Sequence, residues 1–317
     1  MGWKGTIRTL GAIHRANQRE NKRQAREQEK YNRAIEKIQN NIEANRQVIL
    51  YEHYIDRLKS IHKEYGELID WHTISKLEKP SEPIKKKTNE ENLKVGFFTK
   101  VFGNEDKKKK KAIEKDEEEY KISYNKWIEE CKEWKKEKLI ADKLLSGNTN
   151  TKLDIIKKVN PFSDISELGS SIIFKIEESN MLEAILNLEG KDIIPTEKKI
   201  LLQSGKLSIK KMPKSEFNEL YQDYICSCIL RVGNELLAIL PDDIVLIHAM
   251  DNLLNTKTGH MENKCIASVA ISRNTISSLN MDLIDPSDSF DNFVHNMKFK
   301  KIKGFDIVKP LSPLDFN

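Results

Sequence analysis

The sequence predicts an α+β protein: a long N-terminal helical hairpin, read as a coiled coil, then an α+β domain with a mixed sheet and one long buried helix. Three observations carry this. Between Thr6 and Tyr65 there is no proline, and no glycine except Gly11, among residues dominated by Ala, Glu, Gln, Arg and Lys. Residues 151–317 instead contain short runs of Ile, Val, Leu and Ala bounded by Gly, Pro, Asn and Asp. Charge divides the chain at the same place: residues 1–150 hold 34 Lys+Arg against 26 Asp+Glu, and residues 151–317 hold 20 against 23.

Composition narrows the class. At 38% hydrophobic and 32% charged, the 317 residues are too apolar for wholesale disorder and too polar for one compact core throughout. No window supplies the roughly 18 consecutive apolar residues of a spanning helix. Met1 to Arg26 has no apolar h-region, so no secretory signal is expected. Four scattered cysteines, Cys131, Cys226, Cys228 and Cys265, point to a reducing, cytoplasmic setting.

The first unit, 1–77, is expected to be a long basic helix with a buried stripe at Ala34, Ile35, Ile38, Ile42, Ile49, Tyr51, Ile55, Leu58 and Ile61. About 55 residues make a helix roughly 80 Å long, which needs a partner. Residues 105–150 offer one, with Ile113, Tyr120, Tyr124, Trp127, Ile128, Cys131, Trp134, Leu139 and Leu144 on a similar stripe. The pair reads as an antiparallel coiled coil or as a dimerising one. Trp71, Ile74 and Leu77 suggest a short helix before a linker and apolar tip, 78–104. Glu78 to Glu90 reads as exposed linker. Val95 to Gly103, followed by Lys107–Lys111, reads as a capping cluster packed on Trp71 or as a docking or membrane-touching tip.

Residues 1–33 hold nine basic side chains against three acidic ones. Arg8, Arg15, Arg19, Lys22, Arg23 and Arg26 recur at three, four and seven, so many share one helix face. Such a face is either solvated or tracks a phosphate backbone without reading bases. Met1–Thr6 also fits the loose N-myristoylation pattern, against which stand the bulky Trp3 and the lack of a second signal.

In the last unit, 151–317, a helix is expected at Lys152–Lys158 and strands at Ser171–Ile176, Leu182–Leu188, Leu207–Lys211, Ile244–Met250 and Cys265–Ser272. Pro213 and Pro241 bracket a long buried helix, Lys214–Leu240. Asn255–His260 reads as a hairpin turn, and Asp285 or Ser287 as the cap of a short helix.

Chemistry is sparse. Cys226 and Cys228 fall about 200° apart on a helix and form no closed metal site. His248 with Asp251 nearby is a weak nucleophilic-catalysis signal. Phosphate-cradling GxxxxGK[ST] and GxGxxG motifs are missing. Lys298, Lys300, Lys301 and Lys303, interleaved with Phe299 and Phe305, suit either an anion or a solvated strand edge. No cofactor, metal site or catalytic residue is expected.

The order helix, three strands, helix, strand is similar to the αβββαβ core of restriction-endonuclease-like nucleases. That resemblance implies an acidic residue on the second strand, where Glu183 and Glu189 stand, and (Asp/Glu)-x-Lys on the third. Gly205-Lys-Leu-Ser-Ile-Lys-Lys211 lacks the latter. The opening Met1-Gly-Trp-Lys-Gly-Thr-Ile-Arg, the run Met212-Pro-Lys to Tyr221-Gln-Asp-Tyr-Ile-Cys-Ser-Cys228 and Ile284-Asp-Pro-Ser-Asp also resemble bacterial coiled-coil/α+β proteins. That second resemblance implies a bacterial defence (antiviral) or mobile-element setting and carries no activity. The expected function is therefore a non-enzymatic interaction or assembly protein. It would contact nucleic acid (DNA being the obvious case) or an acidic partner through the arm, join a larger protein assembly and pair as a homodimer through the coiled coil. The alternative is a metal-dependent nuclease in the C-terminal unit.

Overall fold

In the computed structural model, residues 3–92, 105–162, 171–177, 180–188, 192–255 and 257–316 are described, with side chains from Gln24 onward except those of Glu105 and Asn255. The expected tip, 95–103, and Glu189 lie outside the described residues. Helix α1 spans Trp3–Ser60, about 87 Å at 1.5 Å per residue. One 3₁₀ turn, Ile61–Lys63, ends it.

Among the described residues, α1 meets the body closely at Asn41, beside Gly205. Beyond it, Ala44, Val48 and Leu58 are buried and Tyr51 and Ile55 pack on the core. Their spacing of four, three, four and three keeps them on one side of the helix. That side lies on α6 (Lys214–Ile239) and on a two-stranded antiparallel ribbon, β3 (Glu197–Leu201) with β4 (Leu207–Lys211). The Tyr54 hydroxyl donates to the Ile193 carbonyl at 2.8 Å.

Helix α4 (Glu105–Leu145) takes different neighbours. It packs on α2 (Trp71–Ser75), on α3 (Thr88–Glu91) and on α5 (Thr149–Val159). Among the described residues, the main neighbours of α4 are thus these three helices, while α1 packs chiefly on α6 and the ribbon. The exposed linker expected over Glu78 to Glu90 is largely exposed, and its stretch 77–87 runs as a strap along α4. The Trp134 indole N–H donates to the Leu77 carbonyl and the Trp127 indole N–H to the Pro80 carbonyl, each at 2.9 Å. Asp116 holds the far end, accepting from the main-chain N–H of Asn89 and Glu90 at 2.9 and 3.0 Å.

The C-terminal unit is α+β with a mixed sheet, as expected. Its sheet runs β1-β2-β5-β6-β7: Ser171–Ile176, Leu182–Leu188, Ile244–Asn255, His260–Ser272 and Val294–Met297. Strands β2 and β5 are parallel and the other neighbours antiparallel. The crossover from β2 to β5 passes through the ribbon and α6, the length a parallel connection requires. Along β2, Leu182, Ala184, Leu186 and Leu188 are buried, the alternation of a strand with one core face. Helix α6 lies so closely on β5 and β6 that a Cβ on Gly233 would stand 2.4 Å from the Ile271 Cδ1 and 3.2 Å from the Ile247 Cδ1, so a larger residue would have to push these side chains aside. Short α7 (Arg273–Ser278) follows β6, and β8 (Phe299–Lys300) pairs with β9 (Gly304–Phe305). Asp285 caps the 3₁₀ turn Asp288–Asn292, accepting from the N–H of Ser287 and Asp288 at 2.9 and 3.1 Å.

Candidate nucleic-acid interface

Because α1 is one unbroken helix, its basic residues can be placed around the axis. At about 100° per residue, Lys4, Arg8, Arg15, Arg19, Lys22, Arg23, Arg26, Lys30 and Arg33 all fall within an arc of about 100°. Glu20, Glu27 and Glu29 fall at or outside its margins. Arg26, Lys30, Arg33 and Lys37 are exposed, and Arg33 contacts Glu29. Side chains of Arg8, Arg15, Arg19, Lys22 and Arg23 lie outside the described set.

The basic arc points in the same direction as the buried face of residues 44–58, so the arm prolongs the packing side of α1. Where the basic run ends, the ribbon begins. At its turn, Gly205 (φ 77°) lies so near α1 that a Cβ would be 2.8 Å from the Asn41 Cγ. The ribbon carries exposed Lys206, Lys210 and Lys211 and half-buried Lys199 where it packs on the docked part of α1. Lys198 is held by Glu216 at 2.5 Å. These lysines are about 170 residues from the arm, so no local pattern links them to it.

Behind the ribbon, between α1 and α6, lies a cleft of about 450 Å³. Its carboxylates are largely matched: Lys59 reaches Asp223 at 3.1 Å and Lys301 contacts Glu219. Burial raises the Asp223 carboxyl above its usual range, with Lys59 opposing.

Glu183, His248 and Ser268 sit on adjacent strands β2, β5 and β6. His248 Nδ1 is 2.8 Å from the Ser268 Oγ, and its Nε2 is 3.1 Å from the Glu183 Oε2. Burial lowers the His248 pKa, and the bond to Glu183 opposes it. The imidazole is therefore neutral, donating to Glu183 and accepting from the serine hydroxyl. Ser268 is fully buried, and its Oγ also accepts from the Leu311 N–H at 2.9 Å. The relay is thus closed by the C-terminal tail and works as a cross-strand tie. Asp251, three residues after His248 in the sequence, neighbours Tyr221.

Glu183 has no lysine-bearing third strand beside it, because Leu207–Lys211 belongs to the separate ribbon. Among the described residues, no group of three or more His, Cys, Asp or Glu is placed to hold a metal ion. Cys226 and Cys228 are buried in α6, and burial pushes the Cys228 thiol up to about 12. Both are inert packing thiols. No described helix is long and apolar enough to cross a membrane.

No protein-family model, curated protein or solved structure matches the chain. The functional reading therefore rests on the chain's own residues.

Proposed function

We propose that this chain is a non-enzymatic interaction protein of a bacterial multi-protein system that grips the phosphate backbone of nucleic acid through the basic face of α1. The observation that carries this is the gathering of nine basic positions into one arc of about 100° along a continuous helix. A helix that merely needed solvation would spread them. The exposed ribbon lysines Lys206, Lys210 and Lys211 support the same reading, since they add positive charge on the ribbon that packs on α1. Such a surface contacts phosphates without reading bases, so binding is sequence-indifferent and falls steeply with salt.

The test is duplex-DNA binding by fluorescence anisotropy over a salt series. Three proteins are compared: the full chain, a chain starting at residue 34, and the variant Lys206→Gln/Lys210→Gln/Lys211→Gln. If six phosphates are neutralised, the full chain has a log–log slope of about −5. The shortened chain loses most of it, and the triple variant is shallower by up to about 3. Absence of binding at low salt, or equal slopes for full and shortened chains, would end the proposal.

A further inference from the structure

The side of α1 away from the body carries a second apolar seam. Tyr31, Ile35, Ile38, Ile42 and Ile49 are spaced four, three, four and seven, with Asn45 in the remaining place. This is a heptad pattern with Ile35, Ile42 and Ile49 at one core position and Tyr31, Ile38 and Asn45 at the other. The side chains are bare: Ile38 is 58% exposed, Ile42 65% and Ile49 54%. Within the chain, the obvious cover is already used. Helix α4 turns Trp127 and Trp134 to the strap 77–87 and packs on α2 and α3.

We infer that α1 of a second copy of this chain covers the seam, forming a parallel two-stranded coiled coil over residues 31–49. Four features select that occupant. The positions flanking the seam are Asn32, Ala34, Gln39, Asn41, Arg46 and Val48, so two identical helices meet with almost no like charge between them. The charged residues Glu29, Lys30, Arg33, Glu36, Lys37 and Glu43 lie outside the flanks. Parallel pairing sets Asn45 against its own counterpart, where two amides bond each other; antiparallel pairing would bury it against isoleucine.

The other two features are space and area. The seam lies about 140° around the helix from the face that packs on α6 and the ribbon, so the two bodies stand on the outer sides of the pair. The basic arcs point outward with them, and the dimer presents two arms. Ten seam side chains burying about 60–120 Å² each remove on the order of 1,000 Å² from water. That is near the lower bound of about 1,200 Å² for stable interfaces, so the dimer dissociates on dilution.

Sedimentation velocity of the full chain over two decades of concentration tests this, independently of any nucleic acid. The expected result is a reversible monomer–dimer equilibrium. Ile38→Asp/Ile42→Asp abolishes it while the helical circular dichroism of the body persists, and Asn45→Ile tightens association about tenfold by removing the buried amides. Asn45→Cys gives a disulfide-linked dimer under mild oxidation. A full chain that is monomeric throughout, or a dimer indifferent to Ile38→Asp/Ile42→Asp, overturns the inference. Cross-linking confined to mixtures of Asn45→Cys with Ile35→Cys chains would show antiparallel pairing and overturn the parallel arrangement.

Discussion

His62 and His248 are both buried and both have their pKa lowered, with burial as the chief cause. His62 Nδ1 lies 2.8 Å from the Ser227 Oγ and thereby pins the end of α1 to α6. A histidine whose folded pKa lies below its unfolded value takes up its proton more readily in the unfolded chain. Stability is therefore full above pH ~6.5 and is lost as pH falls below it. Two such groups give a slope of up to about 2.7 kcal/mol per pH unit. The carboxyls of Asp70 and Asp285 are shifted below their usual range, so what they contribute is lost only in more acid solution. Urea midpoints measured between pH 7.5 and 5 should fall, and His248→Gln should flatten the slope; a midpoint level across that range contradicts the assignment. At the same site, Ser268→Ala strips a partner from both His248 and the Leu311 N–H. It should cost about 1–3 kcal/mol in urea unfolding.

Among the elements, the strap gives the clearest expectation. Two indole N–H bonds to main-chain carbonyls tie residues 77–87 to α4. Each is worth about 0.5–1.5 kcal/mol, and 1.4 kcal/mol is tenfold in opening. Trp127→Phe/Trp134→Phe should therefore speed tryptic cleavage at Lys85–Lys87 by about ten- to a hundredfold. The thermal midpoint of the C-terminal unit should hardly move. Mass spectrometry of timed digests would show it, and an unchanged cleavage rate would mean the strap is held by something else.

The strap also shows where sequence reading stops. Helix α6 and strands β1, β2, β4, β5 and β6 were legible, because their cores demand period-3.6 or period-2 apolar patterns between Pro and Gly boundaries. Strand β3, Glu-Lys-Lys-Ile-Leu, has no such pattern, for its burial comes mainly from α1 and β4 rather than from the sheet's core. A carbonyl accepting from an indole leaves no mark in the sequence at all. The stripe on α4 was legible as apolar; its partner was not, because tryptophan and tyrosine cover an extended strap as well as a helix. Of the candidate interface, the arm was legible and the ribbon lysines were not, for they reach α1 only through the tertiary packing of Gly205 on Asn41.

At the scale of the molecule, the body is a core sealed by long-range polar ties. Lys152 of α5 meets Asp242 before β5 at 2.6 Å, both nearly buried, and Gly66 donates its N–H to Glu235 of α6 at 2.9 Å. Ile69 donates its N–H to the Ala238 carbonyl at 2.9 Å, so the chain after α1 is stitched to α6. Residues 24–40 of α1 are exposed throughout and leave their apolar seam in water. Helices gain most of their stability from packing, so one 58-residue helix should behave as two segments. Hydrogen exchange followed by mass spectrometry should find α6, β2, β5 and β6 opening only with global unfolding. Residues 44–62 should be nearly as slow, and residues 24–40 should exchange orders of magnitude faster in dilute protein. The fast segment should slow as concentration rises, because a dimer seam over 31–49 would protect it while leaving the body unchanged. Uniform protection along α1 at every concentration would instead mean that the arm is stabilised within the single chain.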